Sequence, residues 1–455
     1  MPTTPLTDDI AERLATAPAS SRELMQAFGV SQTTVSRALR DLERRQRVLR
    51  IGSTRGARYA ARRSVAAIGA QWPIYGIDSA GTPRELGVLN AIARDGYCAT
   101  GGPRRIEGIF SAIPYYLQDA RPAGFLGRAV PAANRPLGLP ARVLDWTDDH
   151  FLTYLTQRAA DSVGNLVVGA EALNRYLAAR QSPAIVWRQN RSATYPEFAV
   201  ASMAGTPPGS SAQGEQPKFT ACIADGAGRT HMLVKFSPPR STAVGERWAD
   251  LLTAEQVAHG LLAENGIAAC PSQLLESGDR LFLECERFDR IGMDGRRGVA
   301  TLFAVDTARY GALDNWTACS ERLAADSLLG ADAAARIRLL DAFGALISNT
   351  DRHFGNITLY DSYEGLFELA PVYDMLPMLF APQDEQIVQR AMEAVPLRAE
   401  WLSVWPRACS LAEAYWDRLT QDDRISAAFR AISAVRLAAV RAAPRYGVPA
   451  YPNKT

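Results

Sequence analysis

Apolar residues recur at helical spacings through the first 45 residues of the chain. Ser21 can cap a helix that starts at Arg22 and that Gly29 ends, and Ser31 can cap a second helix that runs to about Arg45. Two helices joined by a short glycine-containing turn predict a helix-turn-helix. The apolar positions behind this prediction are Ile10, Leu14, Leu24, Phe28, Val35, Leu39 and Leu42.

The second helix leaves a polar face outward, and two short strand-like segments follow it at residues 48–59 around a loop with glycine and arginine. Together these features resemble a winged helix-turn-helix domain, which we place at residues 1–61. A small helical interaction module with a solvated arginine-rich face is the alternative. Side chains of the types that contact bases and phosphates are Gln32, Thr33, Ser36, Arg37 and Arg40 on the helix and Arg55 in the loop.

The middle of the chain carries no chemical motif. Residues 62–71 are predicted to be a linker. Residues 72–195 mix strand-like and helical pieces interrupted by proline and glycine, with helices expected at about 146–159 and 163–180. We treat 72–195 as a separate subdomain.

A lysine in an apolar strand is the first candidate for chemistry. A hairpin is predicted from residues 219–224 and 231–236, and Lys235 lies near its end. A Gly/Ser/Gln loop precedes the hairpin, and its backbone N–H groups could hold phosphates. Protein kinases hold ATP phosphates with a strand lysine beside such a loop. The alternative is a lysine that snorkels at a sheet edge.

The flanking segments extend this prediction. A helix at about 248–265 carries Glu255 and Glu264, either of which could pair with Lys235, and Glu255 is the better placed. The apolar strand 281–288 ends in polar residues, where the hinge of a two-lobed kinase would meet adenine. An ordinary core strand is the alternative there.

The strongest motif is the loop 349–356, which follows a helix predicted at 332–348. Its Asp351 and Asn356 have the Asp-x-x-x-x-Asn spacing of the kinase catalytic loop, and Asp374 follows a second strand pair. In kinases this Asp accepts the hydroxyl proton, while the Asn and the later Asp bind Mg²⁺. A polar loop with only turn hydrogen bonds is the alternative. His353 is expected to support the loop rather than to act as a base.

Composition supports this picture. With 455 residues the chain is long enough for about three domains. Residues 1–63 carry 12 Arg and 6 Asp or Glu, a net charge of +6, and the remaining 392 carry −4. A basic head on a mildly acidic body suggests nucleic-acid binding by the head alone. Only Lys218, Lys235 and Lys454 are lysines among 50 basic residues, which makes a buried one notable.

Two further observations concern location and cysteines. No apolar run approaches the roughly 18 residues of a membrane helix, and the polar N-terminus is not a signal peptide, so we expect a cytoplasmic protein with no membrane partner. The six cysteines show no C-x-x-C spacing and no nearby histidine pair. Buried thiols are therefore favoured over a disulfide framework or a zinc site.

Several segments resemble the HipA-type serine/threonine kinases, the toxins of bacterial persistence modules. These segments are SNTDRHFGNI, LAPVYDML, the loop SSAQGEQPK at 210–218 and ERFDR at 286–290. The resemblance covers roughly residues 75–440. Typical members depend on a separate helix-turn-helix antitoxin, whereas here a head is fused on, as in the stand-alone branch of the YjjJ or HipH kind.

The resemblance implies an α+β fold, with a two-lobed, kinase-like HipA body behind the winged helix-turn-helix. The lobes would be residues 196–290 and 291–455. It implies ATP and Mg²⁺ as cofactors, Asp351 as catalytic base, and Asn356 and Asp374 as metal ligands. The loop serine Ser210, with Ser211 as a rival, would be autophosphorylated. ATP-binding residues would be Lys235, Ser210, Ser211, Gln213, Gly214, Glu284, Glu286, Phe288 and His353.

These expectations describe a kinase that transfers the ATP γ-phosphate to a protein Ser or Thr. By family analogy the target is a translation factor or an aminoacyl-tRNA synthetase, DNA is the partner of the head, and the oligomeric state is open, a homodimer included. Two other functions are considered. One is a DNA-binding transcription regulator whose body senses nucleotide, and the other is a nuclease in which Asp351, His353 and Asp374 hold a metal.

Overall fold

The computed structural model describes residues 5–52, 56–204, 216–226, 228–383, 386–390 and 393–444. These residues form two compact units. The first contains the chain up to Arg121 together with Asn134–Ser182, and the second contains Pro122–Ala133 together with the chain from Pro183 onward. The short segment Pro122–Ala133 therefore belongs to the second unit, although the chain before and after it belongs to the first.

The first unit opens with three helices and a small sheet. The helix predicted to start at Arg22 with Ser21 as its cap starts one residue earlier, at Ser21. Ser20 is the cap, because Ser20 and Glu23 form a capping box in which each side chain accepts the other's backbone N–H. Gly29 ends that helix at a φ of 64°, and Ser31 caps the next, as predicted. The elements are α1 (Pro5–Thr16), β1 (Ala19–Ser20), α2 (Ser21–Phe28), α3 (Gln32–Arg44), β2 (Val48–Ile51) and β3 (Arg58–Ala61).

One apolar core joins these elements. Val35, Leu39 and Leu42 of α3 are buried in it, as their spacing predicts. Strands β2 and β3 form an antiparallel pair, and β1 lies on the other side of β3. The predicted helix-turn-helix and strand pair are both present. The tip of the hairpin, with Arg55, lies outside the described residues.

Residues 62–71 connect the N-terminal head to the next sheet, and contacts with other residues hold them in place. Arg62 forms a β-bridge with Ile92. The Arg63 guanidinium donates to both carboxylate oxygens of Asp149 at 2.7 and 2.8 Å, and Val65 is buried. The sequence could not show this because Asp149 lies 86 positions away in the chain.

A five-stranded antiparallel sheet in the order β7–β6–β5–β4–β8 dominates the rest of the first unit. The helix predicted at 163–180 is wrong in its first part, where β8 pairs with β4 and the helix begins only after Gly169. The elements are β4 (Gln71–Ile77), β5 (Pro83–Ile92), β6 (Gly96–Thr100), β7 (Gly108–Phe110), α4 (Tyr115–Gln118), then α5 (Gly124–Arg128) and α6 (Val130–Ala133) of the second unit, α7 (Asp148–Gln157), β8 (Leu166–Val168) and α8 (Ala170–Gln181).

The second unit contains a five-stranded sheet with a helix on each face. Its order is β12–β13–β11–β10–β9, and only β9 and β10 run parallel. Apolar residues of α9 pack on one face and those of α10 on the other. The elements are β9 (Val186–Trp187), α9 (Arg191–Ala204), β10 (Lys218–Asp225), β11 (Gly228–Phe236), α10 (Ala243–Glu264), β12 (Ser272–Ser277) and β13 (Arg280–Glu286).

The start of this lobe differs from the predicted boundary between residues 195 and 196, which would divide α9. Tyr195 is fully buried against Phe219 and Phe282 of the sheet, so α9 belongs with the strands that follow it. The second unit accordingly resumes at Pro183.

The remainder of the second unit is mostly helical. Four tryptophans, Trp316, Trp401, Trp405 and Trp416, are almost fully buried in it. Among the described residues, no helix combines the length and the apolar character needed to cross a membrane. The elements are β14 (Arg290–Ile291), β15 (Gly295–Arg296), β16 (Val299–Thr301), α11 (Leu302–Arg309), α12 (Trp316–Ala325), α13 (Ala331–Leu346), β17 (Thr358–Tyr360), β18 (Glu368–Leu369), α14 (Trp405–Gln421) and α15 (Ala427–Ala442).

Candidate active site

Lys235 and Glu255 form a buried ion pair on the face of the sheet that α10 covers. The Lys235 Nζ donates to both Glu255 oxygens at 2.6 and 2.7 Å. Their exposed fractions are 2% and 0%. Glu264, the other candidate, is at the end of α10 and pairs with Arg418. The predicted preference for Glu255 is therefore confirmed.

Asp374 joins this pair from the loop after β18. Its carboxylate accepts a hydrogen bond from Lys235, and its N–H donates to the Glu255 carboxylate at 3.1 Å. Its carbonyl accepts from the Asn349 side chain at 3.1 Å. These contacts hold Asp374 at a φ of 51°, which few non-glycine residues adopt. Burial acts to raise the pKa of Asp374, but the charges of Lys235 and Lys218 lower it to about 2.

Asp351 and Asn356 occupy a loop between α13 and β17 that its own hydrogen bonds hold in shape. The Asn349 side-chain oxygen accepts from the Asp351 N–H at 3.0 Å, and the Asn356 amide donates to the Asp351 carbonyl at 2.8 Å. Arg352 reaches back to Asp341 of α13 at 3.2 Å. The backbone of Asp351 is thus fixed, while its side chain is 48% exposed. Partial burial raises the pKa of Asp351, against a lowering by His353.

His353 supports this loop from within. Its Nδ1 accepts the Gly355 N–H at 3.0 Å, and its carbonyl accepts the Trp316 indole N–H at 3.0 Å. Its Nε2 is 3.9 Å from the Asp351 carboxylate. These contacts match the supporting role expected from the sequence. They place the ring beside Asp351, not against Lys235.

Asn356 and Asp374 present the oxygen atoms that a hard divalent cation prefers. The Asn356 amide nitrogen is directed at the Asp351 carbonyl, so its oxygen is the atom that suits a cation. Asp374 is ionised at neutral pH because its pKa is about 2. The residues present therefore fit Mg²⁺, the ion that the HipA resemblance implies.

Lys218 is a site residue that the sequence prediction missed. It is the direct cross-strand partner of Lys235 in the β10–β11 pair, so both side chains extend from the same face of the sheet. Its positive charge opposes the rise in the pKa of Asp351 and helps to lower the pKa of Asp374. Two of the three lysines in the chain thus belong to one site, and the scarcity of lysine was the signal that could have identified it.

The predicted adenine-binding segment is only partly placed at this site. Glu284 is buried on the face of the sheet opposite Lys235, where its carboxylate accepts from Arg191 and Tyr195, both at 2.5 Å. Alternation along β13 turns this side chain towards α9, and the contribution of Glu284 to ATP binding stays a prediction. Glu286 is exposed at the end of β13.

Phe288, two residues beyond β13, packs on Tyr373 with ring centroids 5.6 Å apart. Tyr373 directly precedes Asp374, so this contact connects the predicted hinge with the loop of the predicted metal ligand Asp374. Ser210, Ser211, Gln213 and Gly214 of the predicted phosphate loop lie outside the described residues.

The predicted nucleic-acid face lies on α3 in the first unit. Gln32, Thr33, Arg37 and Arg40 are exposed, and Ser36 is half-buried. The Arg40 side chain lies along the helix and donates to the Ser36 carbonyl at 3.1 Å. The outward orientation inferred from the sequence is confirmed for these residues.

Two protein-family models match the chain. One, described as the YjjJ-like toxin middle domain, matches residues 68–177, and the other, the HipA-like C-terminal domain, matches residues 210–439. Among curated proteins, the toxin YjjJ of Escherichia coli strain K12 is 36% identical over 431 residues, which cover 93% of this chain and 95% of that protein.

Among solved structures, a chain from the complex of HipA and HipB with operator DNA of Shewanella oneidensis MR-1 has a TM-score of 0.50 at 15% identity. The match covers 81% of this chain and 96% of that one. The Helicobacter pylori proinflammatory kinase CtkA has a TM-score of 0.34 at 13% identity, over 50% of this chain and 88% of that one. The first match shows a HipA-like fold, and the sequence identity to YjjJ over nearly the whole length shows the family. This chain belongs to the HipA-type toxin family, among its YjjJ-like members.

Proposed function

We propose that this protein is a Mg-ATP-dependent serine/threonine protein kinase that phosphorylates a protein target and itself. The observation that carries the proposal is the contact of Lys235 with both Glu255 and Asp374 in one buried cluster. Active protein kinases need the strand lysine, its helix glutamate and the metal-binding aspartate together. The loop with Asp351 and Asn356 supplies the other kinase-type groups.

ATP would be held by the positive charge of two neighbouring strands. Lys235 binds its α- and β-phosphates, and Glu255 keeps the ammonium in position. Lys218, at the end of the predicted phosphate loop, adds a second positive charge near the phosphates. Asn356 and Asp374 would hold Mg²⁺, which neutralises charge on the phosphate oxygens.

Asp351 is the group suited to receive the proton of the acceptor hydroxyl. Its carboxylate is half-exposed on a rigid loop, so a Ser or Thr side chain of a bound protein can reach it. As the hydroxyl oxygen bonds to the γ-phosphorus, the bond from that phosphorus to the β,γ-bridging oxygen breaks and ADP leaves. The hydroxyl proton passes to Asp351. Such general base catalysis contributes about 10²–10⁴-fold to the rate.

The head adds a DNA-binding function to this kinase. In the S. oneidensis complex, HipA, HipB and operator DNA are found together. Here the exposed polar face of α3 would contact DNA directly, so that toxin and DNA-binding domain are parts of one chain. The toxic effect would follow from phosphorylation of a translation factor or an aminoacyl-tRNA synthetase, by analogy with the family.

The two alternatives have less support. A nuclease would need His353 to bind the metal together with Asp351 and Asp374, yet the His353 Nδ1 accepts the Gly355 N–H and supports its own loop. A regulator that only senses nucleotide needs no exposed carboxylate at Asp351. DNA cleavage that persists without ATP would support the nuclease.

Phosphoproteomics after brief expression tests the proposal in cells. Cells that express the wild-type protein should gain phosphate on a small number of Ser or Thr sites. Cells that express Asp351→Asn, the matched control of equal size, should not. Identical phosphoproteomes at equal protein levels would exclude kinase activity and leave the regulator as the better function.

A further inference from the structure

Three side chains that could bind a metal lie close together, and one of them is Glu255, the partner of Lys235. A carboxylate oxygen of Glu255, a ring nitrogen of His259 and the Cys285 Sγ all lie within 4.8 Å of one another, and all three residues are buried. Glu255 and His259 are one turn apart on α10, and Cys285 extends from the same face of β13 as Leu283, the partner of Lys235. Carboxylate, imidazole and thiolate are the three ligand types of zinc sites.

The orientation of His259 supports a ligand role. Its Nδ1 is 3.0 Å from the Ser272 hydroxyl, while its Nε2 is buried, has no hydrogen-bond partner among the described residues and lies 3.7 Å from the Glu255 carboxylate. Burial lowers the pKa of His259 to about 3, so the ring is neutral. In the tautomer in which Nδ1–H donates to Ser272, the lone pair of Nε2 faces the Glu255 carboxylate, and a cation between them would satisfy both. Metal-binding histidines are commonly oriented by such a hydrogen bond at the other nitrogen.

A cavity gives access to this cluster. It has a volume of about 650 Å³ and lies between α10, the start of β12 and the end of α14. His259, Ser272 and Cys270 line it. The Cys270 Sγ donates to the Glu286 carbonyl at 3.1 Å, and a hydrogen bond with Cys270, together with burial, raises the pKa of the Cys285 thiol. Of the three side chains, His259 lines the cavity, so an ion would reach the cluster at the imidazole.

We propose that Glu255, His259 and Cys285 form a zinc site, and that a bound Zn²⁺ competes with Lys235 for Glu255. Bonds form from the metal to one oxygen, Nε2 and Sγ, and the Cys285 S–H bond breaks and releases its proton to solvent. Affinity for the metal should therefore rise with pH. That Zn²⁺ also inhibits phosphate transfer rests on the proposed function, because Lys235 then loses the partner that positions it.

Cadmium binding to the full-length protein without ATP tests the site independently of kinase activity. Titration of metal-free protein with Cd²⁺ should give a thiolate-to-metal charge-transfer absorption band that saturates at one equivalent. Addition of Zn²⁺ should then remove the band, because Zn²⁺ displaces Cd²⁺ and its own site is spectroscopically silent. Cys285→Ser should abolish the band, His259→Gln should weaken binding by more than about tenfold, and Ser272→Ala should weaken it about 10–100-fold. Cys319→Ser, another buried thiol in the same unit, is the matched control and should bind as the wild type does.

Two results would overturn the site. One is the absence of the band in the wild-type protein, and the other is equal Cd²⁺ affinity of the wild type and Ser272→Ala, a mild change that keeps the fold. A protein with the band but no kinase activity would retain the zinc site and lose only its effect on phosphate transfer. A protein with kinase activity but no band would lose the zinc site alone.

Discussion

At the scale of single residues, the environment of Lys235 decides which groups are charged. Burial acts to lower the pKa of Lys235, but the carboxylates of Asp374 and Glu255 raise it above its usual value. The ammonium in turn keeps Asp374 ionised. A positive charge without water is stable here only because two carboxylates surround it, so the three side chains depend on one another.

Lys235→Met should destabilise the protein by about 3–5 kcal/mol, because the buried Glu255 and the partly buried Asp374 then lack a counter-charge. Their pKa values should rise above those of the unfolded chain, so the stability of this variant should fall as pH increases above the unfolded carboxyl pKa values of about 4. In the wild type the pKa of Asp374 is about 2. Its contribution to the free energy of unfolding is therefore complete above the pKa of the unfolded chain and constant over that range. Thermal unfolding at three pH values measures the difference.

Arg240→Met is the control for this prediction, because Arg240 pairs with Glu276 at the surface. It should change stability by less than about 1 kcal/mol without altering the pH dependence. If Lys235→Met were as stable as Arg240→Met, the cluster would not be held by charge.

Sequence patterns identified most residues of this candidate site, but they did not show from which face of the sheet each side chain extends. Asp351, Asn356 and Asp374 were found because their spacing is local to one loop and the strand pair after it. The sequence did not show that Glu284 extends from the face opposite Lys235, since the register of β13 against β11 depends on tertiary pairing. Lys218 was missed because nothing in one sequence shows that β10 places it opposite Lys235.

At the scale of elements, helix ends and strand order position the chemistry. Helix α10 spans 22 residues and carries Glu255 near its middle, under the strand that holds Lys235. Caps at Ser20 and Ser31 set the starts of α2 and α3, and so decide which residues of α3 face outward. Local signals predicted α2 and α3 well. They did not predict β8, whose apolar residues are also compatible with a helix until they pair with β4.

Arg37→Ala and Arg40→Ala should weaken DNA binding by the full-length protein. Removal of a phosphate-binding side chain should lower the slope of log affinity against log salt by about one unit. Removal of a side chain that reads a base should instead cost about 1–3 kcal/mol of discrimination between DNA sites. Filter binding at several salt concentrations measures both.

Arg175→Ala on α8 is the matched control, since Arg175 is an exposed arginine paired on its own helix with Glu171. It should leave the salt slope unchanged. Equal slopes for all three variants and the wild type would show that α3 is not the DNA-binding surface.

At the scale of the whole molecule, one chain combines a basic head with a body that carries the candidate kinase site. The head and the strand-rich middle segment form one unit, and the helices and strands around Lys235 form the other. The charge distribution, with +6 in residues 1–63 and −4 in the remainder, predicted a head that differs in function from the body. It did not predict that residues 62–71 are fastened by Arg63 and Asp149, because that ion pair joins distant positions.

Self-phosphorylation at Ser210 is expected to switch the enzyme off. In the proposed kinase the loop with Ser210 holds the ATP phosphates, so a phosphate on Ser210 would add about −1.5 to −2 charge there and should repel the nucleotide. Ser210→Ala should prevent the loss of activity over time, and Ser210→Asp should reproduce it only in part because it carries less charge. Ser211→Ala is the control and should inactivate as the wild type does.

Mass spectrometry of the wild type after incubation with Mg-ATP identifies the modified residue. Phosphate at Ser211 alone, with Ser211→Ala resistant to inactivation, would move the switch by one position. Phosphate on neither serine while activity still declines would exclude this loop as the switch.

Transfer of labelled phosphate by purified protein tests the central claim, that the Asp351 loop and the Lys235 cluster form a kinase site. Asp351→Asn should keep its affinity for Mg-ATP and lose about 10²–10⁴-fold in the rate of transfer, because only its ability to accept a proton is removed. Asp374→Ala should instead weaken Mg-dependent ATP binding itself. Transfer by both variants at the wild-type rate would contradict the account.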